Sequence, residues 1–280
     1  MAEIDFEGQY NNQRRVPQHA EFNARWAKES EAYRQAAASR SELDVPYGPG
    51  PRHRFDAFHP SSITGEAPIL VYVHGGYWQR GDRKDHSRLA RVFNERGLSV
   101  VLPSYTLCPD VTVIEIVREL AGCLVQLWRL SGRRIVVVGH SAGGHLTASL
   151  LAIDWSKVEG VPADLVLGGC AISGVFELAP LIGTSIDAAL NLTSETAREA
   201  SPLFWTAPKG RQFAAVVGGA ESGEFIRQSR QIVADWGKAG VKTECQVVDA
   251  ANHFTIVDEL TKSASPLVQR IVRMAIAPGG

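Results

Sequence analysis

The segment Arg134–Leu151, RIVVVGHSAGGHLTASLL, constrains this chain more than any other stretch. Four β-branched residues in a row, Ile135 to Val138, favour a buried strand, and the small, Leu-punctuated run after Gly143 favours a helix. Between them, Gly139-His140-Ser141-Ala142-Gly143 must turn the chain sharply. Glycines two before and two after the serine remove Cβ atoms that so tight a turn would crowd, leaving Ser141 strained and exposed at the apex. A serine between strand and helix in this way forms a nucleophile elbow. A serine hydroxyl is a weak nucleophile near neutral pH, so three further parts are required: a base, an acid to orient it, and N–H donors for an oxyanion.

The 280 residues suffice for one large α/β domain or two small ones. Apolar runs predict strands at 69–73, 98–102, 135–138, 164–172, 212–217 and 242–248, alternating with helices at 84–96, from Thr112 onward, at 223–239 and at the C-terminus. Thr112 and Glu115 form a capping-box pattern, and Val113, Ile116, Val117, Leu120, Leu124, Leu127 and Trp128 mark one face of the helix that follows. The alternating segment His53–Phe58 predicts an antiparallel edge hairpin. No repeat, linker or low-complexity tract divides the chain. The expected class is therefore α/β, a single domain over 1–280 with a doubly wound, mostly parallel sheet and helices on both faces. Within it, residues 1–16 read as an extended arm, and Phe22, Trp26, Tyr33 and Ala37 define a helix over about 17–39 that serves either as a lid or as a flank. Together they make residues 1–40 an N-terminal arm and lid candidate. Residues 174–210 are irregular and read as a substrate-shaping insertion.

Ligands of such sheets bind at the carboxyl ends of the strands, and each missing part has a candidate there. His253 follows the last strand as the base. Glu221, after the penultimate strand and a Gly-Gly-Ala turn, is the favoured acid over Glu224 and Asp249; serine, acid and histidine then follow in hydrolase order. His74-Gly75-Gly76-Tyr77-Trp78 ends an early strand. The N–H groups of Gly76 and Tyr77, with that of Ala142, would make an oxyanion hole, while His74, Gly75 and Trp78 support the loop. Phe176, Phe204, Trp205 and Phe254 are candidates for an apolar slot.

With 29 basic and 30 acidic residues the net charge is −1, which suggests neither a nucleic-acid nor an anionic-membrane partner. The expected partner is a small, aromatic molecule; oligomeric state is open, a homodimer included. Cys108, Cys123, Cys170 and Cys245 lie far apart, form no CxxC pair and read as reduced structural thiols. No signal-peptide pattern opens the sequence, so a cytoplasmic location is expected. No metal-ligand spacing is seen, since His140 and His145 would not share a helix face, and no cofactor is expected. GHSAGG lacks nucleotide-loop spacing.

HGGYW (74–78), GHSAGGH (139–145), GGAESGEF (218–225) and NHF (252–254) together resemble the α/β-hydrolase family of kynurenine formamidase (arylformamidase) and its bacterial esterase relatives, near the hormone-sensitive-lipase group. The resemblance extends over nearly the whole chain, through LDVPYGPGPRHRFDAFHP (43–60), SYTLCP (104–109) and SPLF (201–204). It implies the α/β-hydrolase fold, triad positions for Ser141, His253 and Glu221, and an oxyanion hole in the HGG loop. Two departures stand out: the acid is Glu where many relatives have Asp, and Tyr77 replaces the lipase group's third glycine. The implied activity is hydrolysis of an aryl formamide such as N-formylkynurenine, in tryptophan catabolism, or of a small carboxylic ester. The alternatives are a broad short-chain carboxylesterase and a hydrolase-fold binding protein without catalysis.

Overall fold

A computed structural model describes residues 4–62 and 67–276. Eight strands form one sheet: β1 Ser41–Pro46, β2 Arg54–Phe58, β3 Ile69–Val73, β4 Val100–Pro103, β5 Ile135–His140, β6 Val166–Ile172, β7 Gln212–Gly218 and β8 Lys242–Val248. Their spatial order is β1-β2-β4-β3-β5-β6-β7-β8. The antiparallel pairs are β1 with β2 and β2 with β4; all others are parallel. The hairpin read at 53–58 thus occupies the edge, and β5, which carries the Gly-x-Ser-x-Gly turn, lies near the middle.

The period-two pleat sends alternate residues to opposite faces. Ile69, Val71 and Val73 of β3 join one core cluster, while Leu70 and Tyr72 join the other. Helices cover both faces. Ahead of the sheet come α1 Phe6–Tyr10, α2 Asn12–Arg15 and α3 His19–Ala36. A 3₁₀ segment, Arg83–Leu89, leads into α4 Ala90–Asn94, and then come α5 Val113–Ser131 and α6 Ala142–Ala152. Short α7 Asp187–Leu190 and α8 Ser194–Glu199 lie between β6 and β7, followed by α9 Gly223–Lys238 and α10 Pro266–Ile276. The first cluster packs under α5, α6 and α9, the second under α4 and α10.

Helix α5 shows how sequence sets an element. Thr112 and Glu115 close the capping box, and Val113, Ile116, Val117, Leu120, Leu124 and Leu127 are all buried. Gly132 ends the helix in the left-handed region at φ 65°. Each buried aliphatic contributes roughly 1.5–3 kcal/mol, so Leu120→Ala would cost about 2–5 kcal/mol.

The helix read at 84–96 is present in two pieces, 3₁₀ over Arg83–Leu89 and α over Ala90–Asn94, and one expectation differs from the structure. The arm read over 1–16, whose first three residues lie outside the described ones, is not extended from residue 5 onward but folds into α1 and α2, whose N-termini are capped by the Asp5 and Asn11 side chains. Tertiary bonds hold them down: the buried Tyr10 hydroxyl donates to Glu224 Oε2 at 2.8 Å and accepts from Gln228 Nε2 at 2.6 Å. Among the described residues no helix is long and apolar enough to cross a membrane.

Candidate active site

Ser141 caps α6 at the end of β5, with φ 59° and ψ −120°, outside the ordinary regions for a residue with a Cβ. Crowding explains the flanking glycines. A Cβ on Gly139 would stand 2.1 Å from the Gly143 carbonyl oxygen, and one on Gly143 would stand 2.0 Å from that of Val73. The turn is held by Ser141 N–H donating to the Ile172 carbonyl at 2.8 Å, while the Gly144 and His145 N–H groups donate to the Ser141 carbonyl.

His253 lies in the loop after β8, and its Nδ1 makes a 2.7 Å bond to Glu221 Oε2. A carboxylate accepts here, so Nδ1 is the donor, and in the neutral ring that tautomer leaves the lone pair on Nε2. The other carboxylate oxygen, Oε1, accepts from Ser173 Oγ at 2.5 Å and Gly218 N–H at 2.8 Å. Glu221 and His253 are both buried. The rival carboxylates go elsewhere: Glu224 accepts from Arg227 and Tyr10, and Asp249 sits exposed in the turn after β8.

His140 was missed as a contributor. Its Nε2 donates to the His253 carbonyl at 2.8 Å, and the two rings lie 4.6 Å apart. Burial and the neighbouring His253 hold the His140 pKa well below the usual value, so the ring is neutral. Ser173, on Glu221, and Phe225, whose ring lies 4.9 Å from that of His253, were also missed. The one available signal was the position of His140 inside the Gly-x-Ser-x-Gly turn.

The loop after β3 passes directly against the elbow. A Cβ on Gly75 would come 3.0 Å from Ser141 Cβ and 2.7 Å from the His140 carbonyl oxygen, so only glycine fits without displacement. Gly76, Tyr77 and Trp78 all have positive φ. Among the described residues no protein acceptor takes the N–H of Gly76 or Tyr77, and Ala142, as the first residue of α6, has none within its helix. His74 braces the loop: Nδ1–H donates to the Gly75 carbonyl at 2.8 Å, and the ring stacks on Tyr105 at 4.4 Å. Trp78 Nε1–H donates to His145 Nδ1 at 3.3 Å, and His145 Nε2–H donates to the Ala200 carbonyl at 2.6 Å. Burial lowers the pKa of both His74 and His145 to about 4, which keeps these braces neutral.

Ser141, His253, Gly76 and Tyr77 line one cavity of about 400 Å³. The N-terminal segment supplies part of its wall through Asn12, Asn23 and Trp26. Phe22 of α3 stacks on Phe254 at 5.9 Å, and Trp26 Nε1–H donates to Asp258 at 3.1 Å. The Tyr77 hydroxyl accepts from Asn12 N–H at 2.8 Å and donates to the Tyr10 carbonyl at 3.0 Å, which ties the HGG loop to α1 and α2. Of the four aromatic candidates, Phe254 lines the cavity. Phe176 is instead packed in the core against Phe213, Phe204 is exposed beside Arg198, and Trp205 bonds the Glu199 carbonyl. Among the described residues no cluster of three or more His, Cys, Asp or Glu could hold a metal ion.

A nucleophile elbow at the centre of an eight-stranded, mostly parallel sheet defines a class, and the comparisons agree: the chain belongs to the alpha/beta hydrolase fold family, whose model matches residues 70–257. It is a hydrolase of that fold. Among known proteins it is similar to the kynurenine formamidase of Danio rerio, 28% identical over 257 residues, covering 89% of this chain and 86% of the relative. A crystal structure from a Silicibacter species, carrying a provisional thioesterase name, is 30% identical with a TM-score of 0.88 over 96% of this chain and 100% of that one. The Pyrobaculum calidifontis esterase, 18% identical, shares the fold with a TM-score of 0.70 over 90% of this chain and 91% of that one.

Proposed function

We propose that this chain hydrolyses an aryl formamide of the N-formylkynurenine type through a formyl-enzyme on Ser141. His253 takes the Ser141 proton as Oγ attacks the formyl carbon, and the resulting oxyanion accepts from the N–H groups of Ala142, Gly76 and Tyr77. His253 then gives the proton to the leaving aryl nitrogen. Water, deprotonated by His253, attacks the formyl ester, and Ser141 leaves with the proton as formate is released. Glu221 keeps the histidine in the tautomer with Nε2 free and stabilises the imidazolium in passing.

The observation that carries this reading is the His253–Glu221 bond of 2.7 Å beside an elbow serine that lines the same cavity. Three others support the substrate. Gly75 and Gly76 keep the wall beside Ser141 bare, as a small acyl group requires; Trp26, Tyr77 and Phe254 offer aromatic surface to an aryl group; and the Danio rerio relative, matched over most of both chains, is a kynurenine formamidase.

The test is hydrolysis of N-formyl-L-kynurenine beside p-nitrophenyl acetate and butyrate, with wild type and Ser141→Ala. The expected result is a kcat/KM for the formamide above those for the esters, falling by about 10⁴-fold or more in the variant. Fast esters with negligible formamide turnover would make the protein a carboxylesterase and overturn the formamide reading. Activity that survives Ser141→Ala would overturn the serine mechanism.

A further inference from the structure

Apart from its histidines, the cavity at Ser141 is lined by two charged side chains of opposite sign, Arg80 and Asp85. Neither has an ion-pair partner among the described residues, and they do not pair with each other. Arg80 is exposed and Asp85 half-buried, whereas the charged side chains around them are paired. Nearby Arg52 and Arg83 both pair with Asp82, and Arg88 pairs with Glu29 and Asp258. Arg80 instead lies with its guanidinium carbon 5.5 Å from the centre of the Tyr77 ring. Stacked on a ring face, a guanidinium keeps its N–H edges available for a bidentate contact with a carboxylate. The ring beneath is itself fixed by the two hydrogen bonds to α1 and α2, so the cation has a defined place on the wall.

Asp85 supplies the opposite charge. It is half-buried, and burial, with the neighbouring Asp82 carboxylate, raises its pKa above the usual carboxylate value. A carboxylate partly removed from water without a cation is costly, and a ligand cation would relieve that cost. Asn12, 2% exposed, lines the same cavity, and its backbone N–H donates to the hydroxyl of the Tyr77 ring on which Arg80 lies.

From these two groups we infer that the cavity recognises a free α-amino acid headgroup, with Arg80 taking its carboxylate and Asp85 its ammonium. This rests on the formamide reading and deepens it: the acyl carbon sits at Ser141 while the zwitterionic end of the same substrate is held at Arg80 and Asp85. A net-neutral zwitterion gains nothing from the net charge of the chain, so its recognition must come from such a local pair.

The experiment compares N-formyl-L-kynurenine with 2′-formamidoacetophenone, which keeps the aryl ketone and formamide but lacks the amino acid group. Wild type is expected to favour the amino acid substrate by about 10- to 100-fold in kcat/KM, mainly through KM. Arg80→Gln and Asp85→Asn should each cut that preference at least about tenfold, with Arg80→Lys recovering part of it. The deamino analogue, a carboxylate without the ammonium, should lose turnover with Arg80→Gln and not with Asp85→Asn. Equal wild-type efficiency on the two formamides, or a loss in the variants shared equally by both, would overturn the inference and leave the formamidase reading standing. Turnover of the esters but of neither formamide would overturn both.

Discussion

Glu221 receives three hydrogen bonds, from His253, Ser173 and Gly218, and this leaves its carboxylate one orientation from which to fix the imidazole. Glu221→Ala should therefore lower kcat on p-nitrophenyl acetate by about 10³- to 10⁴-fold with little change in KM. Asp249→Ala, an exposed turn position, should stay within about twofold of wild type. An equal loss in both variants would refute the choice of acid. Ser141 and His253 are legible in the sequence because strand, glycine spacing and order are local signals. Glu221 was only favoured, since Glu224 and Asp249 also lie near strand ends, and what separates them is side-chain partners that no spacing encodes. Phe176 shows the same limit: an aromatic in an irregular stretch can face cavity or core, and this one packs on Phe213. Arg80 and Asp85 carried no motif at all; their interest comes from lacking partners.

At the scale of elements, the parallel strands followed from apolar runs and glycine stops, to within a few residues at each end. The N-terminal segment did not, because helices of four and five residues have almost no periodicity to read, and α1 and α2 persist through tertiary bonds. Those bonds reach the HGG loop through the Tyr77 hydroxyl. Tyr77→Phe removes both contacts while keeping the ring. It should lower kcat on p-nitrophenyl acetate by about 3- to 30-fold by loosening the loop whose N–H groups are proposed to hold the oxyanion. Wild-type kcat in this variant would show that the loop holds its place without the N-terminal tether. The helix α3 answers the lid-or-flank alternative in part: Asn23 and Trp26 wall the cavity, while Trp26, with Arg25 and Arg88, is bonded to Asp258 as a packed flank would be.

Across the whole molecule, four buried histidines stay neutral in the fold. Burial brings His74 and His145 to about 4 and His86 to about 3, and holds His140 well below its usual value. When unfolded, each takes a proton near pH 6.5, so between about pH 6.5 and 4 the unfolded chain binds more protons than the folded one. Their contribution is thus fully present above pH 6.5 and is lost as pH falls toward 4. Tm should be level from pH 7.5 to 6.5 and drop by roughly 5–10 °C by pH 5; a Tm independent of pH over that range would contradict the neutral, buried state of these rings. His145 is the clearest case, since protonating Nδ1 would abolish the acceptor that Trp78 uses to hold the loop. In the proposed mechanism all of this scaffolding serves one reacting atom, the Ser141 oxygen. Trapping it with a fluorophosphonate and reading the intact mass, followed by peptide mapping, asks whether that oxygen is the nucleophile. One phosphonyl adduct per chain, located on Ser141 and abolished by His253→Ala, is the expected result. An adduct on another residue, or none in an enzyme that still turns over substrate, would contradict it.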